Sequence, residues 1–339
     1  MNMEDRLLFL IGPPRSGSTL LARMLGAHPA VHAPPEPHLL TPLAHLGYYA
    51  RVERAPYDPL ISEGAIRELV RALPGGEADY LTALRAFTDA LYAKLLEPSG
   101  RRLLLDKTPA YALVLDFAAR LYPGARYVVL TRNPLAVWSS FVESFFDGDH
   151  AVAHAHNPLL ERYVPAIARF LRERRVPLCS VRYEDLVQDP RAELTRICGF
   201  AGLDFDPCMV EYGSHPEGRG PVARGLGDPV RVDRESRPTP RFLSSWAREL
   251  ARDPAGVERA RRILESLADE DLETWGFPRA ELRAALDALP SGAPRRRRRP
   301  WDRHALERRA LVLLRRNIHE NAFGRLVRRV RFACDVLLR

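Results

Sequence analysis

Long apolar runs are missing from this chain. The longest are about five residues, where a bilayer-spanning helix needs about 20, and the first residues lead straight into a strand-like segment with no charged-then-apolar leader. A cytoplasmic protein is expected. Cysteine is also scarce: Cys179, Cys198, Cys208 and Cys334 stand at no metal-like or disulfide-like spacing. They read as reduced, mostly packed thiols, and no zinc site is expected. Internal repeats are lacking, and with 46% hydrophobic residues in 339 the composition excludes a disordered chain and leaves room for a sizeable core.

What is present is an uneven charge. The formal net charge is +8, but residues 295–339 hold fifteen arginines against four acids, a net +11, which leaves −3 for residues 1–294. Pro290 to Pro300, "PSGAPRRRRRP", reads as a linker, because its punctuating residues are followed by five mutually repelling charges. Domain limits of 1–289, 290–300 (linker) and 301–339 (basic amphipathic helical tail) follow. In that tail Leu306, Ala310, Leu313 and Leu314 would share one face, continued by Phe323, Leu326, Val327, Val330 and Val336. Docking on its own domain, lying on an anionic membrane surface and gripping an acidic partner are the competing uses. Nucleic acid fits less well, since the tail has no reading motif and few aromatics to stack on bases.

Four short apolar runs read as strands: Leu7 to Ile11, Leu103 to Leu105, Tyr127 to Leu130 and Pro177 to Val181. Helical periodicity follows, as at Leu113 to Leu121 and Leu135 to Phe146. Alternating strands and helices predict an α/β fold with a parallel sheet flanked by helices. Helices at Glu63 to Leu73 and Tyr80 to Leu96 suggest a helical insertion over the site, between Pro34 and Gly100. Further helices are expected at Asp189 to Phe200, Gly256 to Leu267 and Arg279 to Leu289, with a loop at His215 to Pro240.

"GPPRSGST", Gly12 to Thr19, lies between the first strand and a helical segment and has the spacing of a phosphate-binding loop, with Ser18 in place of the lysine. Backbone N–H groups at such a junction converge on an anion. The nearest strong cation is Arg15. Farther on, "TRNPLAVWSS" sets Arg132 and Ser140 eight residues apart. A strand-end arginine and a hydroxyl two helical turns along can converge on one phosphate.

The loop resembles that of the sulfotransferases, which share the P-loop fold and hold the 5′-phosphosulfate of 3′-phosphoadenosine 5′-phosphosulfate (PAPS) with Pro-Arg/Lys-Ser-Gly-[ST]-[ST]. "PPRSGSTLL" matches it residue for residue. The resemblance implies that Pro14, Arg15, Ser16, Gly17, Ser18 and Thr19 bind the 5′-phosphosulfate and that Arg132 and Ser140 bind the 3′-phosphate, in two separated anion cups. "GAHPAVHAPPEPHLL" resembles the tyrosylprotein sulfotransferases, whose catalytic glutamate stands twenty-one residues after the loop arginine, here Glu36. This chain has Pro-Pro-Glu where those enzymes have Gly-Glu-Glu. His28, His32 and His38 are rival bases. Lys107 of "LLLDKTP" matches the lysine that reaches the oxygen bridging sulfate and phosphate in those enzymes and their bacterial relatives.

Tyr183 of "VRYEDL" matches the tyrosine near the adenine and sugar, or is core. Arg241 and Trp246 of "RPTPRFLSSWAREL" resemble the C-terminal gating segment that reaches the 3′-phosphate, with Arg237 as a substitute. The implied reaction moves a sulfuryl group from PAPS to an acceptor hydroxyl on a glycan, lipid, natural product or tyrosine, with no metal. Two alternatives stand: a P-loop small-molecule kinase with Asp106 on Mg²⁺, and a non-catalytic nucleotide-binding module using the basic tail as an interaction arm. His150, His154 and His156 are close enough in sequence to hold a metal, but no acid or cysteine follows at ligand spacing. An acceptor-pocket wall or solvated loop is expected instead.

Overall fold

A computed structural model describes residues 2–50, 52, 59–214 and 236–289, together with Leu326 and Val330, which are helical and exposed. The proposed linker, all of the tail but those two residues, most of the His215 to Pro240 loop and Cys334 lie outside the described residues. Five parallel strands form one sheet: β1 Leu7–Ile11, β2 Val31–His32, β3 Leu103–Asp106, β4 Arg126–Thr131 and β5 Leu178–Arg182, in the order β2-β3-β1-β4-β5. In the pairing Leu7 lies beside Leu104 and Phe9 beside Tyr127. The α/β class, its parallel sheet and the flanking helices are as expected. The two-residue β2 was not: it is too short to show a period.

Because side chains alternate along a strand, the sheet divides the core into two layers. Leu7, Phe9, Ile11, Leu104, Tyr127 and Val129 face one way, and Leu8, Leu10, Leu103, Leu105, Val128 and Leu130 the other. The second face is covered by α1 (Ser18–Ala27), α9 (Tyr183–Gln188) and α10 (Pro190–Ala201). The first is covered by α4 (Glu77–Leu96), α5 (Leu115–Leu121), α6 (Pro134–Phe146) and α8 (Leu159–Glu173), with α11 to α14 (Ser245–Leu250, Pro254–Ser266, Asp269–Trp275, Arg279–Asp287) packed beyond them. Between β2 and β3 the chain also forms α2 (Leu40–Ala44) and α3 (Pro59–Ala72). The insertion is therefore helical, but α4 joins the layer on the sheet, with Tyr92 and Leu96 fully buried; the sequence reading had set it over the site.

Helix starts follow their capping residues. Asn133 accepts from the N–H groups of Leu135 and Ala136, with Pro134 in the first turn, so "TRNP" turns directly from β4 into α6. Asp189 does the same for α10. His150–His156 form a short helix, α7, so of the two expected readings the solvated loop does not hold. Its histidines pack on aromatic rings: His150 and His154 lie 5.8 and 6.1 Å from Trp138 and His156 5.3 Å from Phe146, while His154 Nε2 meets Glu161 at 2.6 Å. Among the described residues no helix is long and apolar enough to cross a membrane. Cys179 and Cys198 are buried and Cys208 partly so, all unbridged. Burial raises all three thiols, Cys198 to about 11 and Cys208 to about 12, so they are held protonated.

Candidate active site

Strand order sets the order of the site. The segments leaving the carboxyl ends of β2, β3, β1, β4 and β5 carry, in that sequence, Glu36, Lys107, the loop Gly12 to Thr19, Arg132 and Tyr183. Five stretches separated by up to 171 positions thus stand side by side at one edge, the place where open parallel sheets bind ligands.

The central loop has the construction of an anion cradle. Gly12 packs on β4 so closely that a Cβ there would lie 2.8 Å from Ser16 Oγ and 3.0 Å from the Leu130 carbonyl oxygen. Arg15 and Gly17 both have left-handed backbones, φ 71° and 96°. The N-terminus of α1 has no side-chain cap, which leaves its first N–H groups for an anion. Ser16 is fully buried, and its hydroxyl has no hydrogen-bond partner among the described residues. Ser18 and Thr19 open the helix. These features fit the 5′ end of a phosphorylated nucleotide.

Tyr183 lies against this loop rather than in the core alone. A Cβ on Gly17 would fall 2.6 Å from Tyr183 Cε2. Gly17→Ala is therefore expected to lower stability by about 1–2 kcal/mol from the left-handed backbone and to push the tyrosine ring off the loop. Urea denaturation and nucleotide titration of the variant measure the two effects. Arg132 stacks its guanidinium 4.3 Å from the centroid of the Tyr183 ring. Glu184 accepts from Asn133 N–H at 3.0 Å, tying the ends of β4 and β5 together, and burial raises its pKa.

The residues expected to form the two anion cups adjoin. Arg15 Nε donates to Ser140 Oγ (3.1 Å), and Arg132 Nη1 donates to the Arg15 carbonyl (2.9 Å). Arg15 of the loop is thus held by both Arg132 and Ser140. Sequence spacing set Ser140 two turns into α6 but gave no hint of that contact. Trp275 on α13, also unforeseen, donates from Nε1 to the Arg132 carbonyl at 2.8 Å and fixes its backbone.

On the other flank Lys107 Nζ forms an ion pair with Glu36 Oε1, and His38 Nε2 meets Glu36 Oε2 at 3.3 Å. Only about a tenth of the Lys107 and Glu36 side chains is exposed. Two of the rival bases are thereby sorted. His38 touches Glu36 rather than standing apart from it. His28 is buried, its Nδ1 accepting from Ala30 N–H, so Nε2 carries the proton and donates to the Asp204 carbonyl, both at 3.0 Å. Both nitrogens of that ring are used in packing the chain. His32 lies half-buried on β2. Tyr163 on α8 is buried, and its phenol is raised by burial and further by the nearby Glu36 carboxylate. The apolar pattern of α8 hides it among core positions.

Asp106, the candidate Mg²⁺ ligand of the kinase alternative, is completely buried and accepts from the hydroxyls of Tyr92 (2.7 Å), Thr108 (3.0 Å) and Tyr111 (3.0 Å). All three hydroxyls thus converge on the carboxylate that the kinase alternative assigns to Mg²⁺.

The C-terminal candidates are arranged less tightly. Arg241 is exposed on the turn Pro240–Phe242, which packs on α9, and its guanidinium lies 5.7 Å from the Phe242 ring. Trp246 is buried in α11 against α6. Arg237 pairs with Glu211.

Residues 8–207 match the profile described as "Sulfotransferase family". "Nodulation protein NoeE" of Sinorhizobium fredii is 30% identical over 304 residues, covering 83% of this chain and 68% of that protein. A "Putative protein-tyrosine sulfotransferase" of Caenorhabditis briggsae is 28% identical over 211 residues, covering 61% and 69%. Among solved structures, a "Sulfotransferase Domain from the Curacin Biosynthetic Pathway" superposes with a TM-score of 0.53 at 22% identity, covering 79% of this chain and 95% of that one, a likeness of fold.

Proposed function

The chain belongs to the sulfotransferase family, and from that premise we propose that it transfers the sulfuryl group of PAPS to an acceptor hydroxyl, with Glu36 as the base. The observation that carries this reading is the row of groups across the strand ends, a carboxylate–lysine pair on one side of a phosphate cradle and a stacked arginine on the other.

Each residue then has one task. Glu36 takes the proton of the acceptor hydroxyl as its oxygen bonds to sulfur. Lys107 and Arg15 hold the phosphate oxygen that keeps the electron pair of the breaking sulfur–oxygen bond. The α1 N-terminus with Ser18 and Thr19 fixes the 5′-phosphate, while Arg132 and Ser140 take the 3′-phosphate. Tyr183 lies beside the nucleotide, and Arg241 on its turn is a further cation toward the 3′-phosphate. Products are a sulfate ester and 3′-phosphoadenosine 5′-phosphate (PAP). Transfer of this kind is an in-line displacement through a loose transition state, so positioning and charge stabilisation are the protein's contribution. The chain itself supplies the cations that triphosphate enzymes take from a lysine and a metal. The acceptor is a hydroxyl on a glycan, lipid, natural product or tyrosine; the relatives named for protein tyrosine and for nodulation bracket that range.

Calorimetric titration is expected to show PAP bound in preference to ATP with Mg²⁺. Incubating the enzyme and PAPS with cell extract is expected to add one sulfate to an acceptor, followed by mass spectrometry. Glu36→Gln should abolish that transfer and leave PAP affinity within about twofold, because the substitution lies on the acceptor flank; a base typically contributes about 10²–10⁴-fold. Binding of PAP with no transfer to any component of the extract would favour the non-catalytic module.

A further inference from the structure

The buried Asp106 is not solitary. Two of the three hydroxyls that donate to it also accept from the chain that carries the base: Thr108 Oγ1 accepts from His38 N–H (3.4 Å) and Tyr111 Oη accepts from Leu40 N–H (3.1 Å). Tyr92 from α4 donates to the same carboxylate and closes the set. Each strut runs from carboxylate to hydroxyl to backbone, and the two land on alternate residues of a single segment. That segment starts two residues after Glu36, and His38 within it has a left-handed backbone, φ 52°. Lys107, the partner of Glu36, is the chain neighbour of both Asp106 and Thr108.

We infer that Asp106, Thr108 and Tyr111 form a positioning clamp that registers the Glu36 segment against the end of β3, so that the base stands beside Lys107. The inference rests on Glu36 being the base. Only an acceptor-only carboxylate can take three hydroxyl donors at once. Burial raises the Asp106 carboxyl and the three hydroxyls hold that rise to about 6, and as the acceptor from all three it acts as the carboxylate. Each hydroxyl has one proton to give, and giving it to Asp106 leaves the lone pairs of Thr108 and Tyr111 for the N–H groups of His38 and Leu40. The direction of every hydrogen bond in the clamp is therefore fixed by the charge at its centre. The two struts couple the end of β3 to a segment some 70 positions earlier.

The clamp predicts effects confined to the acceptor flank. Thr108→Val keeps the shape and removes the strut, Tyr111→Phe does the same for the second, and Thr108→Ser restores the hydroxyl. Amide hydrogen exchange at His38 and Leu40 is expected to quicken by about 5-fold in the first two variants, the scale of one lost hydrogen bond, with the peptide of residues 12–21 unchanged. Turnover of PAPS with the acceptor found in extract should fall about 10- to 100-fold in kcat, the cost of misplacing a reacting group, with PAP affinity within twofold and Thr108→Ser close to wild type. Unchanged exchange in Thr108→Val and Tyr111→Phe, a Thr108→Ser variant as impaired as Thr108→Val, or PAP affinity falling in step with kcat would overturn the clamp. Wild-type protein that turns over no acceptor would sink the enzymatic reading instead, while the exchange comparison still decides whether the segment is clamped.

Discussion

Lys107→Met is expected to reduce PAPS turnover by about 10²- to 10³-fold, the usual effect of deleting one preorganised donor to a developing negative charge. The same change is expected to cost stability, because Lys107 and Glu36 are both nine-tenths buried and paired. Removing one partner leaves a charge in a poorly hydrated place, at about 3–5 kcal/mol. The two effects have different cures. In the double variant Lys107→Met with Glu36→Gln no charge is stranded, so much of the stability returns, while turnover remains lost. Urea midpoints for the single and double variants, set beside PAP release by each, separate the pair's structural role from its chemical one. A double variant as unstable as the single would show that the ion pair is not the source of the loss. Recovery of turnover along with stability would remove Lys107 from the leaving group.

The contrast between what the sequence showed and what it hid follows from the range of the interactions involved. Three of the longer strands, β1, β3 and β4, were legible as apolar runs buried on both sides, and β5 as a short run that buries only Cys179 and Val181; the start of α6 was legible from capping chemistry, Asn133 with Pro134. The phosphate loop was legible because its glycines answer local needs: a left-handed turn at Gly17 and close packing at Gly12. The strand order was not, since Leu7 pairing with Leu104 is a preference that no nearby residue encodes. Without that order the nearness of Glu36 to Lys107 could be taken only from resemblance.

Asp106 shows the limit most clearly. As a strand-end acid it admitted a metal-ligand reading as a competing view, and only the distant Tyr92 and the unremarkable Thr108 and Tyr111 reveal what its carboxylate does. His28 was undecidable for the same reason, its Asp204 partner being 176 positions away. Arg15 escaped in another way. Its charge was noted, but the contact with Ser140 across 125 positions merges the two places where separate anion cups were expected.

That merger bears on the nucleotide side. Arg132→Ala is expected to weaken PAP by about 10²-fold, since a hydrogen-bonded charge pair contributes about 1.5–3 kcal/mol and the ring of Tyr183 loses the cation stacked on it. Adenosine 5′-phosphate, which lacks the 3′-phosphate, should lose far less. Its loss should still not vanish, because Arg132 also holds the Arg15 carbonyl, and that grip is relaxed in the variant; a few-fold drop is expected. Ser140→Ala provides the comparison. Ser140 accepts from the Arg15 guanidinium and offers its hydroxyl to the 3′-phosphate but carries no charge, so its removal should weaken PAP by about 10-fold, the low end for a hydrogen bond to a charged group. Titration calorimetry of both ligands against wild type and both variants gives the ratio that matters. A PAP-to-adenosine-5′-phosphate ratio that falls in Arg132→Ala locates the 3′-phosphate at the end of β4. A ratio that stays constant means that Arg132 acts only by shaping the loop, and the second cup must then be sought elsewhere along the strand ends.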